Sequence, residues 1–339
     1  MKKIFIIILI FLTIKSFSQV LKGKVSDQNN VPLSSVNVFL DGTTIATITD
    51  NNGNFSIKYG AKSNSVLVIS YLGYQTEYLS NIDTNQELKI TLTISSSDLK
   101  EVIVTKDRFS RKQKLQLFRE KFLGTTPNGR KTFIENEDDI YFEYNEKQIV
   151  FFAFSDNPIV IINQNLGYKI YFELTNFEVN FYKLSIKSVD ATRSFYAGVS
   201  RFEEISTTEK VIKNRQKAYQ GSQLHFFRNL TKNIWGKENF MLFIGKYQVD
   251  PNNYFSVKDE NDYKVVTVSK QERGFNSDKY MASFNLLFNK KQQSQIIFET
   301  PTFQVDKFGN NSNIENIIFS GYLSEQKVGD MLPMNYGIQ

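Results

Sequence analysis

Residues 21–58 read LKGKVSDQNNVPLSSVNVFLDGTTIATITDNNGNFSIK, and this stretch decides the fold. Apolar and polar residues alternate in short runs such as Leu21–Ser26 and Asn54–Lys58, which is the pattern of half-buried strands. Residues that favour turns separate the runs, as at Asp41-Gly42 and Asn51-Asn52-Gly53. The stretch therefore predicts the start of an antiparallel β-sandwich of the immunoglobulin kind.

The same alternation continues to residue 94 and predicts a sandwich domain over residues 19–96. The predicted strands are Leu21–Ser26, Ser35–Leu40, Thr44–Thr49, Asn54–Lys58, Ser65–Tyr71, Gln75–Leu79 and Glu87–Thr93.

The order of turn and core residues in this domain resembles the carboxypeptidase regulatory-like domain, a transthyretin-like sandwich. The motifs that carry the resemblance are Gly23-x-Val25-x-Asp27, Pro32-Leu33-x-x-Val36-x-Val38, Gly42-Thr43, Thr49-Asp50-x-x-Gly53-x-Phe55-x-Ile57 and Ile69-Ser70-Tyr71-x-Gly73-Tyr74. The family is found in secreted peptidases and at the N-terminus of TonB-dependent outer-membrane transporters. The resemblance therefore implies a Gram-negative envelope setting.

The segment Leu99–Thr105 is also similar to the one that follows this domain in the transporters. A transporter would then need a plug and a barrel of about 22 strands, which residues 106–339 cannot hold. The zinc ligands of the peptidases are absent as well. The resemblance consequently implies neither transport nor peptidase activity.

Residues 1–18 have the composition of a secretory signal peptide. Two lysines precede an apolar run that ends at Ile14, and the small residues Ser16 and Ser18 predict cleavage after Ser18. No later stretch reaches the roughly 20 apolar residues of a membrane-spanning helix. We expect an exported protein that is periplasmic or associated with the outer membrane, with the cell surface as an alternative.

Charge and cysteine content exclude several classes of protein. The chain has no Cys, and therefore neither disulfides nor the thiol of a bacterial lipid anchor. Three lysines of the leader account for half of the net charge of +6, and the remainder is too small for a nucleic-acid-binding surface. Zinc would require His, Cys or clustered carboxylates. No metal and no cofactor is predicted.

Residues 97–131 are predicted to be a linker followed by a basic amphipathic helix over Ser110–Leu123, since Leu115, Phe118 and Phe122 recur at helical spacing. Six acidic residues follow between Thr132 and Glu146. The helix could be attracted to an anionic membrane or a partner. Packing against its own domain, with its charge answered by the acidic stretch, is the favoured interpretation.

Residues 132–339 are predicted to form a larger β-rich C-terminal domain with one or two helices. The predicted strands are Ile149–Phe154, Ile159–Ile162, Tyr168–Leu174, Phe177–Ile186, Ser194–Ile205, Phe240–Val249, Tyr263–Ser269, Tyr280–Phe288, Ile296–Val305 and Ile317–Tyr322. The exception is Asn214–Asn233, which lacks alternation and is predicted to be helical.

As one helix, Asn214–Asn233 would place its polar and aromatic residues in two adjacent stripes. Gly221 inside it would cost up to about 1 kcal/mol and indicates the close approach of a strand or a ligand. The candidate binding residues are Arg215, Tyr219, Ser222, His225 and Arg228. Helix-on-sheet packing with buried, paired arginines is the favoured alternative.

This region also resembles a family of uncharacterised envelope proteins with the same two-part architecture, which implies a fold and a location but no mechanism. The motifs are Asn214-Arg215-x-x-Ala218-Tyr219-x-Gly221-Ser222-x-x-His225-Phe226-x-Arg228-x-Leu230, Phe118-x-x-x-Phe122-Leu123-Gly124, Asn128-Gly129, Ile134-x-Asn136-Glu137, Leu166-Gly167-Tyr168 and Met331-Leu332-Pro333.

Nothing in the sequence indicates catalysis. Ser222 and His225 lack the nucleophile elbow and the context of a catalytic pair, so His225 is expected to be structural. We expect a non-catalytic accessory or binding protein whose sandwich docks onto an outer-membrane protein or a barrel assembly or transport complex. The alternatives are a carbohydrate-binding surface module, with Trp235 as the residue of interest, and, with less support, a small outer-membrane barrel over residues 140–323 or a hydrolase.

Overall fold

The computed structural model describes residues 20–58, 66–80, 82, 86–95, 108–260, 263–270 and 282–338. Strands make up most of the regular structure, so the prediction of a mainly β fold is confirmed. The predicted signal peptide and residues 97–107 of the predicted linker lie outside the described residues.

All seven predicted strands of the N-terminal sandwich are present. They are β1 Val20–Asp27, β2 Asn37–Leu40, β3 Ala46–Ile48, β4 Asn54–Lys58, β5 Leu67–Ser70, β6 Glu77–Leu79 and β7 Leu88–Leu92. They form two sheets, ordered β4-β1-β7 and β3-β2-β5-β6, around a shared apolar core. The pairing of β1 with β7 is parallel, which departs from the wholly antiparallel arrangement expected.

The predicted basic helix is present as α1, Arg111–Phe122, and begins with a capping box between Ser110 and Gln113. Phe118 and Phe122 are fully buried in the core of the following sheet, where Phe122 packs on Phe172 with ring centroids 5.1 Å apart. The helix therefore packs against its own unit, as the favoured interpretation held.

The acidic stretch after α1 compensates part of the positive charge of the helix. Arg119 forms a bidentate ion pair with Glu137, and Arg111 donates to the carbonyl oxygens of Glu137 and Ile140 at 2.8 Å. Part of the positive charge of α1, which the sequence left open for contact with an anionic membrane, is thus paired within the fold.

The central unit is a six-stranded sheet that covers α1. Its strands are β8 Thr132–Ile134, β9 Ile140–Asn145, β10 Val150–Ser155, β11 Ile159–Asn163, β12 Tyr168–Phe181 and β13 Ala191–Glu204. The order is β8-β11-β12-β10-β9, and β13 pairs with β12 along its whole length. The segments predicted as two strands before and after Thr175 are one long strand with a register shift between Leu174 and Asn176.

A distal unit follows, with two sheets packed on a separate hydrophobic core. Its strands are β14 Phe240–Ile244, β15 Tyr247–Val249, β16 Phe255–Glu260, β17 Tyr263–Val268, β18 Ala282–Phe288, β19 Gln292–Phe298, β20 Thr302–Asp306 and β21 Ile317–Gly321. The sheet orders are β15-β14-β18-β19-β21 and β16-β17-β20. The region predicted as one β-rich domain therefore contains two separate clusters of buried residues.

Three further helices are described, namely α2 Glu209–Tyr219, α3 Gln223–Thr231 and the short α4 Tyr322–Glu325. After α4, the chain returns to the central unit over residues 328–338, and we call this segment the strap. It begins with the 3-10 helix Val328–Asp330 and contains no strand. Within the described residues, no helix is both long and apolar enough to cross a bilayer.

Candidate functional site

The predicted single helix at Asn214–Asn233 is wrong, because the chain breaks between α2 and α3. Gly221 has a φ of +76°, a left-handed conformation that ends the first helix. Ser222 then caps α3 by accepting from the backbone N–H of His225 at 3.1 Å. The two stripes of side chains predicted for one continuous helix are therefore absent from Asn214–Asn233.

The close approach inferred at Gly221 is nonetheless present. A Cβ atom at this position would lie 2.8 Å from the ring of Phe288 on β18. The approaching group is therefore a side chain of the distal sheet.

Arg215 lies on α2 with its guanidinium buried against the central unit. It forms an ion pair with Glu204 and donates to the carbonyl oxygens of Leu166 and Ser206, both at 2.7 Å. The guanidinium carbon also stands 4.0 Å above the ring of Tyr168. These contacts occupy the side chain and hold α2 on the central sheet.

His225 is held by backbone and aromatic contacts. Its Nδ1 accepts from the N–H of Gly221 at 3.1 Å, and its ring packs against Tyr219, with centroids 4.8 Å apart, and against Phe240 and Phe288. Burial, and after it the nearby charge of Arg228, lower the pKa of His225 to about 4. The imidazole is therefore neutral at physiological pH and serves as a packed acceptor.

Arg228 on α3 connects the distal unit to the strap. Its Nε donates to the carbonyl oxygen of Phe308 at 2.9 Å, while Nη1 and Nη2 donate to those of Tyr336 and Met334 at 2.8 and 2.6 Å. It also lies 5.4 Å from the ring of Tyr219. The planar guanidinium matches three carbonyl groups at once, which a lysine cannot do.

The strap also contacts the central unit and the sandwich. Asp330 accepts from Thr126 Oγ1 at 2.6 Å and from Asn128 Nδ2 at 2.8 Å. The N–H of Met334 donates to the carbonyl oxygen of Gly42 at 2.6 Å, and Asn335 exchanges two hydrogen bonds with Thr44. One segment of eleven residues therefore joins all three units.

The sandwich meets the central sheet through the turn between β2 and β3. The N–H of Gly42 donates to the carbonyl oxygen of Ser200 at 2.7 Å, and the N–H of Ser200 donates to Asp41 Oδ1 at 2.7 Å. A third bond runs from the N–H of Phe202 to the carbonyl oxygen of Thr43. We call this contact the junction.

Two carboxyl groups are confined at the junction. Burial raises the pKa of Asp41 to about 6, and the charge of Glu173 adds to the effect. Burial also raises the pKa of Glu173, although Ser70, Thr76 and Tyr78 of the sandwich donate hydrogen bonds to it. Because both carboxyl groups have a raised pKa at the junction, the stability of the contact between the sandwich and the central unit depends on pH.

The contact between sandwich and central unit should weaken as pH rises from about 4 to about 6. A raised pKa in the docked state means that the docked state binds the proton more tightly, so its extra stability is present at acid pH and lost above the docked pKa. We expect a change on the order of 2 kcal/mol, measured as the stability of the full chain by urea unfolding at pH 4 and pH 7.

Asp41→Asn is the matched variant for this measurement, because the amide oxygen can still accept from Ser200. It should reduce the pH dependence between pH 4 and 6. A pH dependence equal to that of the unaltered chain would contradict the assignment to Asp41.

The outer surface of the sheet β4-β1-β7 carries a group of exposed lysines, which we call the basic sheet face. Outward positions of β1, β4 and β7 present Lys22, Lys24, Lys58 and Lys89, all exposed. The strands contain one carboxylate, Asp27, whose Oδ1 accepts from the backbone of the following turn. Lys24 and Lys89 are direct cross-strand neighbours, and the positive charge of Lys24 also acts on Asp50 in the turn before β4.

The sequence predicted five candidate binding residues, Arg215, Tyr219, Ser222, His225 and Arg228. The structure brings Tyr219, His225 and Arg228 together and makes Ser222 the cap of α3, whereas Arg215 is held separately on the central unit. A role for them in ligand binding stays a prediction. The junction carboxylates and the basic face were missed. For Asp41, the sequence indicates only a turn. For the basic face, the available signal is the alternation of Lys22 and Lys24 along β1 in the quoted stretch.

Comparison with known proteins supports the assignment of the sandwich. Residues 21–104 match the CarboxypepD_reg-like domain. The predicted resemblance of the N-terminal region is thereby confirmed. The resemblance of the C-terminal region to uncharacterised envelope proteins stays a prediction.

Parts of two TonB-dependent receptors are similar to this chain. The TonB-dependent receptor SusC of Bacteroides thetaiotaomicron is 37% identical over 97 residues, which are 28% of this chain and 9% of the receptor. A TonB-dependent receptor of Formosa agariphila is 33% identical over 82 residues, which are 24% of this chain and 8% of the receptor. The chain thus spans less than a tenth of the length of these relatives.

Among solved structures, a type II cohesin–X-dockerin complex from Acetivibrio cellulolyticus is similar to 22% of this chain. The match covers 58% of that chain at 23% identity, with a TM-score of 0.20.

Proposed function

We propose that this chain is a non-catalytic accessory protein of a bacterial envelope, whose CarboxypepD_reg-like sandwich docks onto an outer-membrane protein. The similarity of residues 21–104 to TonB-dependent receptors supports an outer-membrane setting. Residues 1–18 would direct export. The transport activity of the relatives is not carried over, because the shared part is confined to this domain.

The basic sheet face is the observation that carries the proposal. Four exposed lysines lie on three adjacent strands, and Lys24 and Lys89 are paired in the register of β1 and β7. The strands that carry them contain one carboxylate, Asp27, so this concentration of positive charge would be complemented by an acidic partner. The junction and the strap contact the turn between β2 and β3, which belongs to the other sheet of the sandwich, and the four lysines stay exposed in the folded chain.

The partner is accordingly an outer-membrane protein with an acidic surface. Complementary charge would speed the encounter and fix the orientation of the sandwich, with most of the effect on association rate and salt dependence. A non-catalytic role is supported by Ser222 and His225, whose hydrogen bonds run to backbone atoms.

Reversing charge on this face should abolish docking. In the full chain, Lys24→Glu combined with Lys89→Glu is expected to reduce recovery of the outer-membrane protein from gently solubilised envelopes at least tenfold, because two attractive contacts become repulsive. Recovery by the unaltered chain should fall as salt is raised. The measurement is quantitative mass spectrometry of the tagged chain and its bound proteins.

The matched control is Lys213→Glu with Lys217→Glu, which makes the same charge change on the exposed side of α2. It should leave recovery unchanged. Equal loss in both double variants, or no loss in either, would count against docking through the basic face.

A further inference from the structure

A concavity on the distal unit lies far along the chain from the sandwich and takes no part in the proposed docking. It has a volume of about 430 Å³, within the range of roughly 300–1,000 Å³ usual for small-molecule sites. Trp235, Val249 and Pro251 give it an apolar lining, and residues 240–242 of β14, which are almost wholly buried, lie beneath it.

Trp235 offers a flat aromatic surface at this concavity. Phe255 stacks on its indole with an interplanar angle of 10° and centroids 5.9 Å apart, and Phe226 meets it edge-on. The side chain remains only partly buried and still lines the concavity. An indole fixed from behind in this way is a rigid platform, which binds a ring at little entropic cost.

Next to Trp235 the backbone leaves open space. Gly236 adopts a φ of +130°, and a Cβ atom there would meet nothing within 4 Å. The space beside Gly236 is therefore open on the side where a side chain would otherwise project.

Two polar groups face the same space. Gln248 supplies an amide that can both donate and accept. Asp250 uses Oδ1 to accept from the N–H and Nδ2 of Asn252, which fixes the carboxylate and leaves Oδ2 as a further acceptor. The lining contains no Lys, Arg or His, so it does not suit a phosphate or another anion.

We propose that this concavity binds a neutral carbohydrate, with Trp235 stacking on the apolar face of a sugar ring and Gln248 and Asp250 bonding to its hydroxyl groups. A sugar ring combines one apolar face with a rim of donors and acceptors, which matches an indole flanked by an amide and a carboxylate. This site would make the distal unit a ligand-binding element in its own right.

Trp235 is the only tryptophan of the chain, so fluorescence excited at the red edge of the indole absorption, where tyrosine does not absorb, reports on this site alone. The probes are maltohexaose, cellohexaose and laminarihexaose at millimolar concentration, with polygalacturonate as an anionic comparison. We expect saturable quenching or a spectral shift with at least one neutral hexasaccharide and none with the anionic polymer.

Gln248→Ala should weaken that binding about fivefold, the loss expected for one hydrogen bond. Trp235→Phe, followed by calorimetry, should weaken it roughly tenfold. Tyr247→Ala is the matched control, because Tyr247 is 69% exposed on the neighbouring position of β15 and does not line the concavity. It should bind like the unaltered chain.

Absence of binding to all three neutral probes would overturn the proposal, as would binding that Gln248→Ala and Trp235→Phe leave unchanged. The Lys24→Glu, Lys89→Glu variant should bind sugar normally. Failure of the carbohydrate site and failure of docking through the sandwich are therefore told apart.

Discussion

Arg228→Ala should destabilise the full chain by about 3 kcal/mol or more. The substitution leaves three carbonyl groups, those of Phe308, Met334 and Tyr336, without their donor in a buried setting. Each unsatisfied buried group costs about 1–3 kcal/mol, and partial access of water reduces the sum. Urea unfolding followed by circular dichroism gives the loss, and limited proteolysis should show earlier cleavage within the strap.

Arg228→Lys should recover only part of this stability, because an ammonium group cannot address three carbonyl oxygens in one plane. Arg193→Ala is the control, since Arg193 is exposed on β13. It should stay within about 0.5 kcal/mol of the unaltered chain. A strap that resists proteolysis in Arg228→Ala would refute the role assigned to this arginine.

Phe122→Ala should have an effect of similar size, about 3–5 kcal/mol. Phe122 is fully buried, and its ring contacts Phe118, Phe172 and Tyr196 at centroid distances of 4.8, 5.1 and 5.4 Å. Removing it opens a cavity between α1 and the central sheet. The urea midpoint of the full chain is the quantity to compare.

Lys112→Ala on the exposed side of the same helix should leave the midpoint nearly unchanged. This pair of variants also distinguishes the two interpretations of the basic helix. If α1 were held by a membrane or a partner instead of its own sheet, Phe122→Ala would barely alter the stability of the isolated chain.

All seven described strands of the sandwich could be predicted from the sequence. Its runs are short and half-buried, so alternation is visible, and glycines such as Gly42 and Gly53 stand where a positive φ is required. The parallel contact between β1 and β7 could not be predicted, because it joins residues far apart in the chain and leaves no local pattern.

Prediction was less successful in the C-terminal region. Strands β8, β9 and β16 were missed, β8 because it has only three residues, and β9 and β16 because their acidic and polar residues mask the alternation. The break between α2 and α3 was missed because helical spacing continues in the sequence across Gly221, whereas the left-handed backbone there reverses the chain.

For the candidate site, the sequence indicated some of the residues but not their partners. Arg215, His225 and Arg228 stood out because they lie within fourteen residues, and the expected buried arginines are present. The partners of these arginines could not be foreseen. Arg228 bonds to residues 80 to 108 positions away, and Asp41 bonds to Ser200. Only the folded chain brings them together.

Docking of the sandwich through its basic face is tested most directly by photocrosslinking in intact cells. A photoreactive residue placed at Ser56, which is exposed on β4 beside Lys22, should form a single prominent adduct with an outer-membrane protein. The same residue at Lys213 on α2 should give no such adduct. Adducts at position 213 with none at position 56 would contradict docking through this face.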